Sequence, residues 1–217
     1  MKIHAVIFDM DGVLIDTEKY LVKYWCQAAQ EAGFPFEREH GLLIRSLAMK
    51  FAELKLQGIF GPEFDYKAIR ERRKELMEEQ LSRTGIEMKP YVRELLLWLR
   101  EHGIKTAVAT ATDLERASRY LKAIGIFDLF DQVVCATMVE NGKPCPDVYL
   151  YACDQIGEKP EDCIAIEDSP NGVTSAWSAG CHVVMVPDLT EPEDELMPKL
   201  YGVAHGLQEV IPLLEQE

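Results

Sequence analysis

The stretch IHAVIFDMDGVLIDTE, residues 3 to 18, runs from an apolar segment straight into Asp9 and Asp11. The run IHAVIF reads as a buried strand, rich in β-branched and apolar residues. Carboxylates at the end of such a strand resist burial unless something compensates their charge. Residues i and i+2 of an extended chain project to the same side. Asp9 and Asp11 therefore face one place together, and Met10 points the other way as packing. This arrangement restricts the fold to one in which other parts of the chain bring compensating groups to the end of the first strand.

The rest of the sequence supplies such a fold. After Pro90 strand and helix signals alternate. A helix over Tyr91–His102 stops at Gly103, and a strand over Lys105–Ala109 follows. A helix opening at the capping-box pattern Thr112-Asp113-Leu114-Glu115 closes at Gly125. Strand Gln132–Ala136, helix Asp147–Ile156, strand Cys163–Ile166, helix Asn171–Ala179, strand Cys181–Val186 and a terminal helix near Leu207–Leu214 complete the series. Such alternation implies an α/β fold, a doubly wound parallel sheet. Between Asp16 and Thr84 the pattern is helical throughout. It predicts helices over Thr17–Gly33, over much of Ser46–Leu56, and from Asp65 as N-cap to Thr84 with Gly85 at its end. We expect residues 1–15 and 85–217 to form the α/β core, and residues 16–84 an all-helical cap inserted after the first strand.

In a doubly wound sheet the working residues lie at the carboxyl ends of the strands. Four places answer that description: Asp9 and Asp11, Thr110, Lys143 in the loop Asn141-Gly142-Lys143-Pro144, and Glu167 with Asp168. Singly, most have an ordinary explanation as turn, capping or solvated residues. Together they form a chemical kit. Several carboxylates on neighbouring strand ends repel one another unless a hard cation sits among them, and oxygen-only ligands point to Mg2+. A lysine and a hydroxyl aimed at the same place suit the oxygens of a phosphoryl group.

The order D-x-D-G-V-L-x-D-T, a strand ending in Thr110, then G-K-P-x-P-D and E-D-S-x-x-G resembles the haloacid dehalogenase-like hydrolase superfamily, in the phosphatase and β-phosphoglucomutase branch with a helical cap. The resemblance covers essentially the whole chain. It implies Asp9 as nucleophile, forming an aspartyl-phosphate, and Asp11 as general acid and then base. It implies Mg2+ held by Asp9, Asp168, the backbone carbonyl of Asp11 and, through water or directly, Glu167. Thr110, the following amide of Ala111 and Lys143 would bind the transferring phosphoryl group. Gly12 would allow the turn after the aspartates, and Gly172 a close helix start. Dehalogenases and phosphonate-cleaving members lack the second aspartate, so a phosphoester with an alcohol leaving group is expected.

β-Phosphoglucomutases carry T-x-x-x-H after the first motif, whereas Thr17 is followed here by Leu21 in place of that histidine. Their G-x-S-R segment is matched only by Leu43-Ile44-Arg45-Ser46. Both departures favour water as final acceptor: a Mg2+-dependent phosphatase of a small phosphorylated metabolite, with a sugar phosphate as the expected class. A phosphosugar mutase and a non-catalytic phosphometabolite-binding protein are the alternatives. Arg45 is expected to meet the distal part of the substrate, or else to be a surface ion-pairing residue. Arg70, Arg72, Arg73 and Lys74 form a basic cluster in an acidic chain, for which a solvated helix face is one reading. Tyr20, Trp25 and Phe51 are expected to pack the cap, and no histidine is given a catalytic role.

Net charge is −14, a field that repels nucleic acid and anionic membranes and leaves any anionic substrate to a local cation. No eighteen-residue apolar run occurs, and the six cysteines lack metal spacing, which suits reduced packing thiols in a cytoplasmic protein. A monomer is expected.

Overall fold

The computed structural model describes residues 2–215. Six parallel strands form one sheet in the order β3-β2-β1-β4-β5-β6. They are β1 (Ala5–Phe8), β2 (Lys105–Thr110), β3 (Gln132–Cys135), β4 (Cys163–Glu167), β5 (His182–Met185) and β6 (Gly202–Val203). The first strand is central, with Phe8 registered against Val108 of β2 on one side and Ile166 of β4 on the other. From β1 the chain builds outward through β2 and β3, then returns to β4 on the opposite flank. This makes the β1/β4 seam the topological switch point.

The apolar runs are continuous because both faces of the sheet are covered. Alternate residues divide accordingly: Val6, Phe8, Val108, Ile166 and Val184 pack into one core, while Ala5, Ile7, Ala107, Ala165 and Val183 pack into the other. Helices α5 (Val92–Glu101), α6 (Leu114–Ala123) and α9 (Val210–Glu215) serve the first core. Helices α7 (Asp147–Ile156) and α8 (Pro170–Ala179) serve the second.

Four helices stand between β1 and α5 and form the inserted helical cap: α1 (Glu18–Glu31), α2 (Arg38–Leu43), α3 (Met49–Phe60) and α4 (Tyr66–Thr84). Their centre is aromatic, with Trp25, Phe34, Phe36, Phe60, Phe64 and Tyr66 in mutual ring contact. The two connections run side by side, since Asp16 N donates to Glu87 O at 2.9 Å and Lys89 N to Leu14 O at 3.0 Å. Cap and sheet meet elsewhere through Ala48 N on Lys143 O at 2.8 Å and a bidentate Arg119–Glu78 pair at 2.9 and 2.6 Å.

Several local expectations shift. Asp65 caps α4 as expected, its Oδ1 accepting from Ala68 N at 3.0 Å. Helix α3 begins later than Ser46 because Ala48 is held extended by its bond to Lys143, and it runs past Leu56 to Phe60, where Gly61 ends it. The short α2 and two-residue β6 were not expected, being too brief for a periodic signal. The start of α6 is capped by Asp113, whose Oδ1 accepts from Arg116 N at 3.0 Å, so Thr112 is free for another use. All six cysteines are free thiols, and no helix of the described residues is long and apolar enough to cross a membrane.

Candidate active site

Asp9 extends β1 by one residue, its N donating to Ile166 O at 2.9 Å, which sets it beside the end of β4. Its carboxylate is buried. Lys143 Nζ donates to Asp9 Oδ1 at 2.8 Å and to Glu167 Oε1 at 2.6 Å, and Tyr149 of α7 donates its hydroxyl to the same Glu167 oxygen at 2.6 Å. Carboxylate oxygens of Asp9, Glu167 and Asp168 all lie within 4.8 Å of one another. The expected residues from three chain segments, Asp9, Lys143 and Glu167 with Asp168, are thus brought together at the switch point.

Asp11 faces two hydroxyls. Thr17 Oγ1 donates to its Oδ1 and Thr112 Oγ1 to its Oδ2 at 2.9 Å, one from the cap connection and one from the turn after β2. Thr110 is buried, and its Oγ1 accepts from Thr112 N at 3.0 Å. Thr110, Ala111 and Thr112 line a cavity of about 90 Å³ together with Asp9, Asp11, Glu18, Leu21 and residues of α1 and α4. Among the described residues no histidine lines that cavity.

Two glycines make room for this arrangement. Gly12 has φ +89°, and a Cβ there would meet Asp168 Oδ2 at 2.4 Å. A Cβ on Gly172 would lie 2.0 Å from the Glu167 carboxyl. Both positions admit only glycine as the site stands.

Arg45 is neither exposed nor free. It is 4% exposed, its NH1 donating to Asp168 Oδ2 at 3.2 Å and its NH2 to Thr190 Oγ1 at 2.6 Å. The surface reading of Arg45 is corrected. It lines the cavity, but its guanidinium is turned to a carboxylate of the site because the loop after α2 is buried against the strand ends. Thr17, Thr112, Tyr149 and Glu18 also join the site, and none of them is among the residues expected there. Thr112 had a signal, its i+2 spacing from Thr110 in Thr-Ala-Thr; Tyr149 had none.

The electrostatics explain what this cluster requires. Burial pushes the Asp9 carboxyl up to about 7, against the opposing pull of Lys143. Burial likewise raises Glu18 to about 8, with Arg45 opposing it, and lifts Asp168 well above the carboxylate range, aided by Glu18. Two cations, Lys143 and Arg45, pair with the three buried carboxyls of Asp9, Glu167 and Asp168. Asp168 Oδ1 is buried without a hydrogen-bond partner. A compact oxygen-only set with surplus negative charge and an unused buried oxygen fits a hard divalent cation such as Mg2+. The Asp11 carboxylate lies outside the trio, which is compatible with a ligand role for its backbone carbonyl only.

Comparison with known proteins agrees with this geometry. A family model described as haloacid dehalogenase-like hydrolase matches residues 3–180. The chain is 32% identical over 214 residues to the phosphorylated carbohydrates phosphatase of Thermotoga maritima, covering 97% of this chain and 90% of that protein. It is 32% identical over 190 residues to the β-phosphoglucomutase of Bacillus subtilis, covering 84% and 82%. The crystal structure of β-phosphoglucomutase from Clostridium difficile superposes with a TM-score of 0.80 at 22% identity, covering 99% of this chain and 98% of that one, a likeness of fold. With its strand-end carboxylates, its helical insertion and these relatives, the chain belongs to the haloacid dehalogenase-like hydrolases, in their β-phosphoglucomutase-like branch.

Proposed function

We propose that the protein is a Mg2+-dependent phosphatase that hydrolyses a small phosphorylated metabolite, a sugar phosphate or a close relative, through an aspartyl-phosphate on Asp9. The observation that carries this reading is the placement of Asp9 against Lys143, with Asp11 two residues on and held by two hydroxyls.

In the first half-reaction an Asp9 carboxylate oxygen attacks phosphorus, the bond to the alcohol oxygen breaks, and Asp11 gives its proton to that oxygen. In the second, water attacks the aspartyl-phosphate, Asp11 takes its proton, and phosphate leaves with Asp9 restored. Lys143 fixes Asp9 for in-line attack, and with Thr110 and the Ala111 amide it binds the phosphoryl oxygens as they gain charge. Mg2+ held by Asp9, Asp168, Glu167 and the Asp11 carbonyl would neutralise charge on the transferring group. Thr17 and Thr112 orient Asp11, and Tyr149 orients Glu167.

We assign the cap to residues 16–84, on the paired connections at 14–16 and 87–89. It covers the strand ends and excludes bulk water from the reacting phosphorus. Leu21 lines the cavity where the mutases place a histidine, and this favours water over a sugar hydroxyl as acceptor. The names of the relatives, a carbohydrate phosphatase and a phosphoglucomutase, bracket the same choice. The test is a panel of phosphorylated metabolites with Mg2+, followed for both free phosphate and isomerised sugar phosphate. Phosphate release supports the reading. Isomerisation of β-glucose 1-phosphate to glucose 6-phosphate, stimulated by the bisphosphate, replaces it with a mutase.

A further inference from the structure

Residues 44–48, between α2 and α3, bring the cap against the loops that carry Lys143 and Asp168. Asn171, in the first turn of α8, donates its side-chain amide to Arg45 O at 2.8 Å. Ala48 N donates to Lys143 O at 2.8 Å, and a Cβ on Gly142 would stand 2.9 Å from the Ala48 methyl. Between them Ser46 takes φ +57°, left-handed backbone that a residue other than glycine keeps only where surrounding contacts fix it.

From this segment the Arg45 side chain passes inward. Its NH1 donates to Asp168 Oδ2 at 3.2 Å and its NH2 to Thr190 Oγ1, in the loop after β5, at 2.6 Å. It stands between two cavities, the one of about 90 Å³ that holds Asp9 and Asp11 and an outer one of about 520 Å³ between α2 and α8. Among the described residues, Arg45 is the one side chain that donates to the Asp168 carboxylate, and both groups of the pair are buried. A buried ion pair stabilises little by itself, since desolvation offsets the attraction, so its use is better sought in what it orients.

The two oxygens of Asp168 differ. Oδ2 is held by Arg45 on one side and closed in by Gly12 on another, where a Cβ would come within 2.4 Å. Oδ1 is buried and has no partner. A carboxylate that ligates through one oxygen is fixed through the other, and such outer partners set metal affinity. A cation standing in for the metal would sit among Asp9, Glu167 and Asp168; Arg45 touches one of the three and spends its second nitrogen on Thr190.

We propose that Arg45 is a positioning residue of the metal site, supplied by the cap. It holds Asp168 Oδ2 so that Oδ1 is presented to Mg2+, and metal binding and docking of residues 44–48 strengthen each other. This coupling rests on the Mg2+ site of the phosphatase reading and names the residue through which the cap acts on it. Linkage makes it reciprocal: a bond made only with the segment docked raises metal affinity in that state, and bound metal favours docking by the same factor.

The first test needs no substrate. Mn2+, which suits the same oxygen ligands, is titrated into the protein and the free ion is read by electron paramagnetic resonance. Arg45→Met, which keeps the stem and removes the charge, should bind 10- to 100-fold more weakly than wild type. Thr190→Val, which removes only the anchor of the guanidinium, should weaken binding by about threefold or more, and it carries the comparison alone should Arg45→Met not fold. The second test is amide exchange at Ala48, followed by NMR, because that N–H is closed when the segment is docked on Lys143. Mg2+ should slow it by about tenfold or more in wild type and by less than about threefold in Arg45→Met. An arginine that merely braces the cap would alter exchange alike with and without Mg2+.

Equal Mn2+ affinity in wild type and variant overturns the proposal, as does equal slowing by Mg2+ in both. Tighter binding by Arg45→Met also overturns it, and would make Arg45 a competitor of the metal. If wild type binds neither Mn2+ nor Mg2+, the metal site and the role of Arg45 fall together. Phosphate release from the metabolite panel separates the two readings. Turnover with an affinity that ignores Arg45 leaves the phosphatase without this coupling. An affinity that depends on Arg45, in a protein that hydrolyses nothing, leaves the coupling without the phosphatase.

Discussion

Lys143 Nζ lies 2.8 Å from Asp9 Oδ1, a buried pair between residues 134 positions apart in the chain. The same ammonium reaches Glu167, so one cation holds the ends of two adjacent strands together. Removing one partner of a buried charge pair leaves the other uncompensated, at a cost of about 3–5 kcal/mol. Lys143→Met should therefore lower the unfolding free energy by a few kcal/mol and reduce kcat by about 100-fold or more, because a group facing the developing charge is lost. Denaturant unfolding and steady-state phosphate release, measured on the same preparation, check both.

Asp11 depends on two hydroxyls from different parts of the chain. Thr112→Val removes the 2.9 Å bond to Oδ2 and keeps the side-chain shape. One such bond is worth about 0.5–1.5 kcal/mol, so kcat should fall by roughly 3- to 10-fold with little change in KM. Thr17→Val should behave alike, and the double variant should lose more than either. A change in KM alone would remove the orienting role.

The buried carboxyls make stability depend on pH in a defined direction. Glu18 carries a folded-state value of about 8 against an ordinary 4.5, so the native state keeps a proton that the unfolded chain releases. Its contribution is complete below pH 4.5 and is lost as pH rises toward 8. Asp9, at about 7, acts in the same sense. Metal-free protein in EDTA should lose stability, on the order of a few kcal/mol, between pH 5 and 8. Glu18→Gln should flatten that slope, and added Mg2+ should restore stability most at the upper end. Denaturant titrations across this range decide it.

Gly172 gives the Glu167 carboxyl its place. A methyl group there would stand 2.0 Å from that carboxyl, so Gly172→Ala must displace Glu167. We expect a 10- to 100-fold rise in the Mg2+ concentration needed for half-maximal activity, about the cost of disturbing an outer partner of a metal site. A titration of activity with Mg2+ measures it.

The strands and the motif residues were legible in the sequence for a physical reason. Parallel strands buried on both faces read as unbroken apolar runs, and Asp9, Thr110 and Glu167 follow those runs directly. The partners of these groups were less legible. Tyr149 reaches Glu167 from the interior of α7, and only the packing of α7 on the sheet puts it there. The run from Arg70 to Lys74 looked uniform along the chain, but it straddles two faces of α4, one satisfied by glutamates and one turned into the cavity. Arg45 was placed at the substrate from its position in a degraded motif, whereas its bond to Asp168 depends on how closely the cap lies on the strand ends.

The proposed phosphatase stands or falls with Asp9 as its nucleophile. The most direct measurement is Mg2+-dependent phosphate release from the best substrate of the panel by wild type and Asp9→Asn side by side, with the unfolding transition of each recorded as a control. Wild type should turn over and the variant should lose about 1,000-fold or more, the scale expected when a nucleophile is removed. Turnover by Asp9→Asn equal to that of wild type would contradict it.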